Sequence, residues 1–145
     1  MGFSVSGSAA IIFVAAFIGF GMFYSAAANG FERVNDARED QRDRLLDQQN
    51  TDISVASATW NASGNENLVV TVDNTGSETL SVAATDLLVD NEYRTGYATT
   101  VDGDGSTDVW APQERLTMTV TSLNSRPDRV KVVTENGIAG TAVVS

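Results

Sequence analysis

Hydrophobic and polar positions follow three different rhythms along this chain, and each rhythm predicts its own element. Residues 8–28 are apolar or small at nearly every position, around the run Ala9-Ala10-Ile11-Ile12-Phe13-Val14-Ala15-Ala16-Phe17-Ile18-Gly19-Phe20-Gly21-Met22-Phe23-Tyr24. A helix that is apolar all round has no face to turn to water, and about 20 such residues reach across a hydrocarbon core. The run predicts a transmembrane helix, with Tyr24 near an interface where its hydroxyl meets water. Residues 31–49 lack Gly and Pro and favour Arg, Glu, Gln, Leu and Ala, so the helix is expected to continue into water. Asp40 and Arg44 form an acid-first i,i+4 pair that supports it. As one helix from about residue 4 to 49, the two stretches would make a stalk on the order of 70 Å long. The positions Phe31, Val34, Arg38, Gln41, Leu45 and Gln48 have heptad spacing but are only half apolar. They leave open both a coiled-coil seam and a solvated spacer.

Helical spacing stops near Thr51, and the third rhythm is short alternation. Runs rich in Val, Thr, Ile and Leu predict strands at 53–60, 68–73, 79–82, 86–89, 93–100, 115–121, 129–134 and 138–144. Leu68, Val70 and Val72 share one face, as do Leu116, Met118 and Val120. Asn136-Gly137 between two valine-rich runs is the clearest hairpin signal, and Asn74-Thr75-Gly76-Ser77 marks another turn. Closely spaced strands with turn residues between them point to an immunoglobulin-like sandwich held by its core, because the Cys pair of antibody domains is absent. Trp60 and Trp110 are expected in the core or at its edge, with ligand stacking as the alternative. The predicted fold is thus an N-terminal transmembrane α-helix continuing into a stalk, followed by an all-β immunoglobulin-like sandwich. The predicted boundaries are anchor 1–28, helical stalk or linker 29–52, and extracellular β-sandwich domain 53–145.

Charge sharpens this division. The net charge of −10 comes from 19 acids against 9 bases. The anchor carries none of it, residues 29–52 carry −3 and residues 53–145 carry −7. Asp outnumbers Glu and Arg nearly replaces Lys, a surface that stays hydrated where salt screens repulsion. This reads as salt adaptation, with an ordinary acidic domain as the alternative. The absence of Cys removes disulfides, thiol nucleophiles and thiolate metal sites, and the absence of His removes imidazole ligands and His-centred triads. Acidity opposes nucleic-acid binding, so no nucleic-acid partner is expected. No enzymatic activity and no cofactor are expected either.

Three other readings of the N-terminus compete with an anchor. Ala26-Ala27-Ala28 has the form of a signal-cleavage site, but no basic residue precedes the apolar run. Met1-Gly2-Phe3-Ser4-Val5-Ser6 fits the myristoylation pattern, though a lipid would be redundant beside a spanning helix. Gly2 before an apolar run also resembles the processing site of pilin-like subunits. That family's basic residue before the Gly is missing, and Gly7 stands where its Glu would be. Orientation is set by two opposing considerations. Arg33, Arg38, Arg42 and Arg44 follow the span, which favours a cytoplasmic C-terminal side; but acids outnumber them, and long folded domains translocate largely regardless of charge. The expected orientation is N-terminus cytoplasmic, β-domain outside.

Candidate chemistry is sparse. Asp102, Asp104, Ser106 and Asp108 place oxygen ligands at alternate positions as a calcium loop does, but Thr107 and Gln113 replace the Gly and the bidentate Glu of that motif. A solvated acidic hairpin tip is the competing reading. Asn61-Ala62-Ser63 is an N-glycosylation acceptor that fits an exported loop, although the tripeptide also recurs by chance. Lys131 is expected to guard a sheet edge.

In order along the chain, several segments carry a family resemblance. They are Met1-Gly2-Phe3-Ser4-Val5-Ser6-Gly7, Phe31-Glu32-Arg33, Leu45-Leu46-Asp47-Gln48-Gln49-Asn50-Thr51, Asp73-Asn74-Thr75-Gly76-Ser77, Trp110-Ala111-Pro112-Gln113-Glu114 and the run from Val130 to Ile138. Their order resembles the archaellum accessory (stator) family FlaF (ArlF), haloarchaeal type, with the sister family FlaG (ArlG) the lesser match. Gln113 stands where that family has Gly after Trp-x-Pro. The resemblance implies a non-enzymatic stator anchored in the cell membrane, whose β-domain binds the surface-layer glycoprotein so that torque reacts against the envelope. It also implies a FlaG-like partner and self-association through the sandwich, and it assigns no partner-binding residues. A pilin- or archaellin-like filament subunit is the main alternative, and an exported calcium- or glycan-binding module is the next.

Overall fold

The computed structural model describes residues 3–62 and 67–145. Helix α1 runs without interruption over Phe3–Asn50. No proline interrupts it, and its interior glycines fall mainly in the apolar half, where lipid-spanning helices tolerate them. Ser25 satisfies its hydroxyl within the helix by donating to the Gly21 carbonyl at 2.9 Å. The chain divides into two compact units between Asp43 and Arg44, so the last turns of α1 belong with the β-strands.

Ten strands follow: β1 (Ile53–Asn61), β2 (Asn67–Asn74), β3 (Leu80–Ser81), β4 (Asp86–Val89), β5 (Glu92–Arg94), β6 (Ala98–Val101), β7 (Val109–Trp110), β8 (Arg115–Val120), β9 (Arg129–Val133) and β10 (Ala139–Val143). They form two four-stranded sheets, ordered β1-β2-β8-β6 and β10-β9-β4-β5, and a small β3-β7 pair. The pairings are antiparallel, and the sandwich is immunoglobulin-like, as the alternation predicts. Leu68, Val70, Val72, Leu87, Val89, Leu116, Met118, Val130 and Val132 project from both sheets into one core that also takes in Trp110. Each such side chain, fully withdrawn from water, contributes about 1.5–3 kcal/mol before entropy is counted.

Two strand expectations need correction. The run at 93–100 is not one strand: Gly96, at φ 74°, breaks it, and β5 and β6 join different sheets. A positive φ is strained for residues with a Cβ, so the glycine marks the crossover. The short strand β7 lay outside the predicted set because two residues are too few to show alternation. The Asn136-Gly137 hairpin forms as expected. Gly137 adopts φ 80° and its N–H donates to the Thr134 carbonyl at 2.9 Å, joining β9 to β10.

Candidate interaction surfaces

Four features can carry function: the apolar half of α1, the join between α1 and the sandwich, and the two outer sheet faces. The first is the simplest. Ile11, Phe13, Phe17 and Phe23 are each about three-quarters exposed. A surface this apolar is not stable in water. The helix is long and apolar enough to cross a membrane.

The join is built from backbone. A helix leaves its last carbonyls without intrahelical partners, and here the 75–78 turn supplies them. The Asn50 carbonyl accepts from Ser77 N at 2.8 Å and Glu78 N at 3.2 Å, while the Asp52 carbonyl accepts from Thr75 N and Gly76 N, both at 2.9 Å. Thr51, buried, donates its amide and its hydroxyl to the Asp47 carbonyl. Asn136 on the β9–β10 hairpin donates to the Thr51 hydroxyl oxygen at 2.8 Å. The turn is fixed in its own right. Buried Asn74 accepts from Gly76 N at 3.1 Å and donates to the carbonyls of Glu78 and Trp110. Gly76 is obligatory, since a Cβ there would sit 2.4 Å from the Asn50 oxygen and 2.5 Å from Asp52 N. The Asn-Thr-Gly motif was legible as a turn, but its role in receiving the helix end was not, because that depends on a contact some 25 residues back in the chain.

The outer face of the β1-β2-β8-β6 sheet is neutral and hydroxyl-rich. Its register lines up Thr59, Val69, Thr119 and Ala98 in one row, and Ser57, Thr71, Thr117 and Thr100 in the next. Ser57 and Thr71 share a hydroxyl hydrogen bond of 2.7 Å. The next row along pairs Ser54, Asp73 and Arg115, and Asp73 accepts two bonds from the Arg115 guanidinium at 2.6 and 2.9 Å. That forked bond holds the Asp73 carboxyl below the usual carboxylate range and raises Arg115.

The outer face of the β10-β9-β4-β5 sheet differs. Its rows are Tyr93, Leu88, Lys131 and Thr141, with Asp86, Val133 and Ala139 on one side and Arg129 beside Val143 on the other. Two shallow grooves meet at Arg129 and Val143. One, of about 420 Å³, is lined by Asn91, Arg129, Lys131, Thr141 and Val143 among others; the second, of about 510 Å³, is bounded by Arg126, Pro127, Asp128 and Val144. Lys131 therefore does not guard an edge. Its strand lies inside the sheet, between β10 and β4, and its side chain stands on the solvent face.

The other singled-out residues resolve as follows. Asp102 and Gly103, both at positive φ, form the two-residue turn between Val101 and Asp104. The acidic side chains near it serve separate backbone tasks: Asp102 accepts from Arg115 N at 3.1 Å, Asp104 from Ser106 N and Oγ at 2.8 and 2.7 Å, and Asp108 from Ala83 N at 2.6 Å and Ser81 Oγ at 2.9 Å. The Ser106 bonds hold Asp104 below the usual carboxylate range. Among the described residues, no three acidic groups gather as a metal site would require. Trp110 is fully buried, its indole N–H donating to the Glu114 carbonyl at 2.9 Å, which removes it as a stacking platform. Trp60 is half-buried against the core. Asn61 ends β1, while Ser63 of the glycosylation tripeptide lies outside the described residues.

These features define a class: a long N-terminal helix, apolar in its first half, whose last turns are bonded through backbone to an immunoglobulin-like β-sandwich. A sequence model of the archaeal-type flagellin family matches residues 2–144. The chain belongs to the archaeal-type flagellin family. No curated protein sequence matches it. Among solved structures, the archaellum periplasmic stator protein FlaG from Sulfolobus acidocaldarius is similar at 19% identity and a TM-score of 0.42, covering 63% of this chain and 97% of that one. The stator complex of FlaF and FlaG from the same organism gives 18% identity and a TM-score of 0.42, covering 62% of this chain and 85% of that one. The CARDB domain of PF1109 from Pyrococcus furiosus gives 14% identity and a TM-score of 0.31, covering 66% of this chain and 94% of that one.

Proposed function

We propose that this protein is a non-enzymatic, membrane-anchored stator component of the archaellum motor. In this reading the N-terminus is cytoplasmic and α1 crosses the cell membrane once. The salt-adapted sandwich lies in the pseudo-periplasmic space and binds the surface-layer glycoprotein. Motor torque then reacts against the envelope. A FlaG-like archaellum protein is the second partner, with self-association of the sandwich alongside. Membership of the archaeal-type flagellin family supports the archaellum association. The observation that carries the mechanical part is the backbone-bonded join at Asn50, Asp52 and Gly76. Force passed from a helix to a domain needs an attachment at the helix end, and the backbone bonds closed around Gly76 attach the last turn of α1 to the sandwich. The test is retention of purified surface-layer protein by the full chain in detergent at high salt, where an acid-rich domain is at home. Retention is expected, and its absence overturns the reading.

The family match itself favours a second reading, a filament subunit whose N-terminal helix packs in a filament core. N-terminal sequencing of the mature protein separates the two. A start at Met1 or Gly2 fits the anchor, and a start at Phe3 fits the subunit.

A further inference from the structure

The cations of the sandwich are unevenly employed. Residues 53–145 carry five: Arg94, Arg115, Arg126, Arg129 and Lys131. Arg94 pairs with Glu92 at 3.1 Å and Arg115 with Asp73 at 2.6 Å. The remaining three stand together around the β9–β10 grooves, and none of them is in an ion pair among the described residues. Arg126 is held in place by donating to the Val144 carbonyl. Two acids lie close by. Asp90 accepts the amides of Asp128 and Arg129, both at 3.0 Å, and Asp128 lines the second groove. At the centre is Val143, 80% exposed. In a domain with a net charge of −7, unneutralised cations gathered at an exposed aliphatic side chain are not explained by solubility.

We propose that this outer face of the β9–β10 hairpin is a docking groove for an acidic segment of a partner polypeptide that also carries an aliphatic side chain. The carboxylates meet Arg129 and Lys131, with Arg126 at the far end, and the aliphatic group covers Val143. Charge complementarity selects an anionic partner. The lining selects a polypeptide among anions. Sugars stack on aromatic rings, and the exposed ring of this face, Tyr93, stands on β5 at the edge opposite β10, bonded to Asp86 and lining neither groove; Val130, Ala142, Val143, Val144 and Pro127 in the linings are aliphatic. A bilayer of acidic lipids fits less well, because the grooves are concave and a flat bilayer surface cannot enter them as a peptide strand can. The groove gives the proposed stator a binding face, and it rests on that reading only for the compartment in which the partner is met.

The full chain in detergent micelles is titrated with a fluorescent synthetic peptide of alternating Glu and Val, at a salt concentration where circular dichroism shows native β-structure. Saturable binding is expected, weakened roughly tenfold or more by the double substitution Arg129→Glu with Lys131→Glu. Val143→Asp is expected to weaken it as well, and Arg94→Gln to leave it unchanged. Arg129, Lys131 and Val143 project into solvent and Arg94 is half-buried, so thermal unfolding of the first three variants should match the parent, and unfolding of Arg94→Gln confirms that the control is native before it is titrated. The proposal is overturned if the peptide fails to bind the parent, if the double variant binds it equally well, or if a Lys-Val peptide binds as tightly. It is also overturned if Arg129 and Lys131 instead drive sedimentation with phosphatidylglycerol vesicles while the peptide does not bind. Surface-layer retention is measured in parallel. Peptide failure with retention intact removes the groove alone, whereas failed retention with peptide binding intact removes the stator reading alone.

Discussion

The two outer faces of the sandwich cover the same core, yet they are built on different terms. On the β1-β2-β8-β6 sheet the exposed positions are threonines and serines in register, ending in the paired Asp73 and Arg115. β-Branched side chains there fit the pleat, and cross-strand hydroxyl pairs such as Ser57–Thr71 add a few tenths of a kcal/mol each, on the order of 0.2–1. Two of its polar contacts, Ser57–Thr71 and Asp73–Arg115, close within the sheet. On the β10-β9-β4-β5 sheet Tyr93 donates to Asp86 at 3.1 Å toward the β5 edge, but Arg129 and Lys131 have no ion-pair partner among the described residues and Val143 is left exposed. The contrast separates a face that stabilises the fold from a face left open for something outside it. Substitutions can break this comparison at successively finer levels.

The coarsest break removes what both faces share. Trp110 is fully buried in the common core, with its indole N–H bonded to Glu114. Trp110→Ala is expected to cost about 3–5 kcal/mol in denaturant unfolding, from lost burial and a residual cavity. A loss below about 1 kcal/mol would mean the sheets do not depend on one core. Gly76→Ala acts next, at the join. Its Cβ would press on Asn50 O and Asp52 N, backbone atoms that cannot rotate away. The expected cost is about 1–3 kcal/mol. A spin label on the last turn of α1 should also gain mobility relative to one on β8. If stability and label mobility both stay at parent values, the join is looser than its hydrogen bonds indicate.

How far could such features be read beforehand? The three rhythms of the sequence were enough for the helix, most strands and the Asn136-Gly137 hairpin, because each is a local pattern. The break at Gly96 was not visible, since Tyr93 to Thr100 alternates across it and only the destination of each half shows that two sheets are involved. Gly76 read as a turn glycine, whereas its closest constraint comes from Asn50. The acidic loop invited a metal reading because spacing shows where carboxylates fall and not what they accept. In the structure Asp102, Asp104 and Asp108 serve three different amides. The basic groove did leave a signal: Arg126, Arg129 and Lys131 fall within six residues of one another. Lys131 alone was singled out, and it was assigned to an edge it does not occupy.

A finer break touches only the neutral face, through pH. Arg115 holds the Asp73 carboxyl below its ordinary value, so the folded pKa is lower than the unfolded one. The pair's contribution is therefore present above the ordinary value of about 3.9 and is lost as pH falls through the depressed folded value. Arg115→Gln should lower stability slightly at neutral pH, and the gap to the parent should close as pH falls through the depressed folded value. Both side chains are partly solvated, so the effect should also shrink with salt. A gap that stays constant across the acid range would mean that Arg115 acts by packing its stem and not by charge.

The smallest expected effect is the most discriminating. Val143 is 80% exposed on the basic face, opposite Arg129 in the register. Val143→Thr keeps the β-branched shape and the strand preference and replaces one methyl with a hydroxyl already facing water. By folding physics alone it should change stability by less than about 0.5 kcal/mol. The isosteric change at Thr117→Val, on the neutral face, meets ordered neighbours on both sides and should move stability more. If Val143→Thr is silent in unfolding yet weakens binding of the acidic peptide, the valine is retained for contact with a partner. If it destabilises the isolated chain as much as Thr117→Val does, the two faces do not differ in kind. Arg129 and Lys131 would then be ornaments of a surface whose exposed positions serve the fold alone.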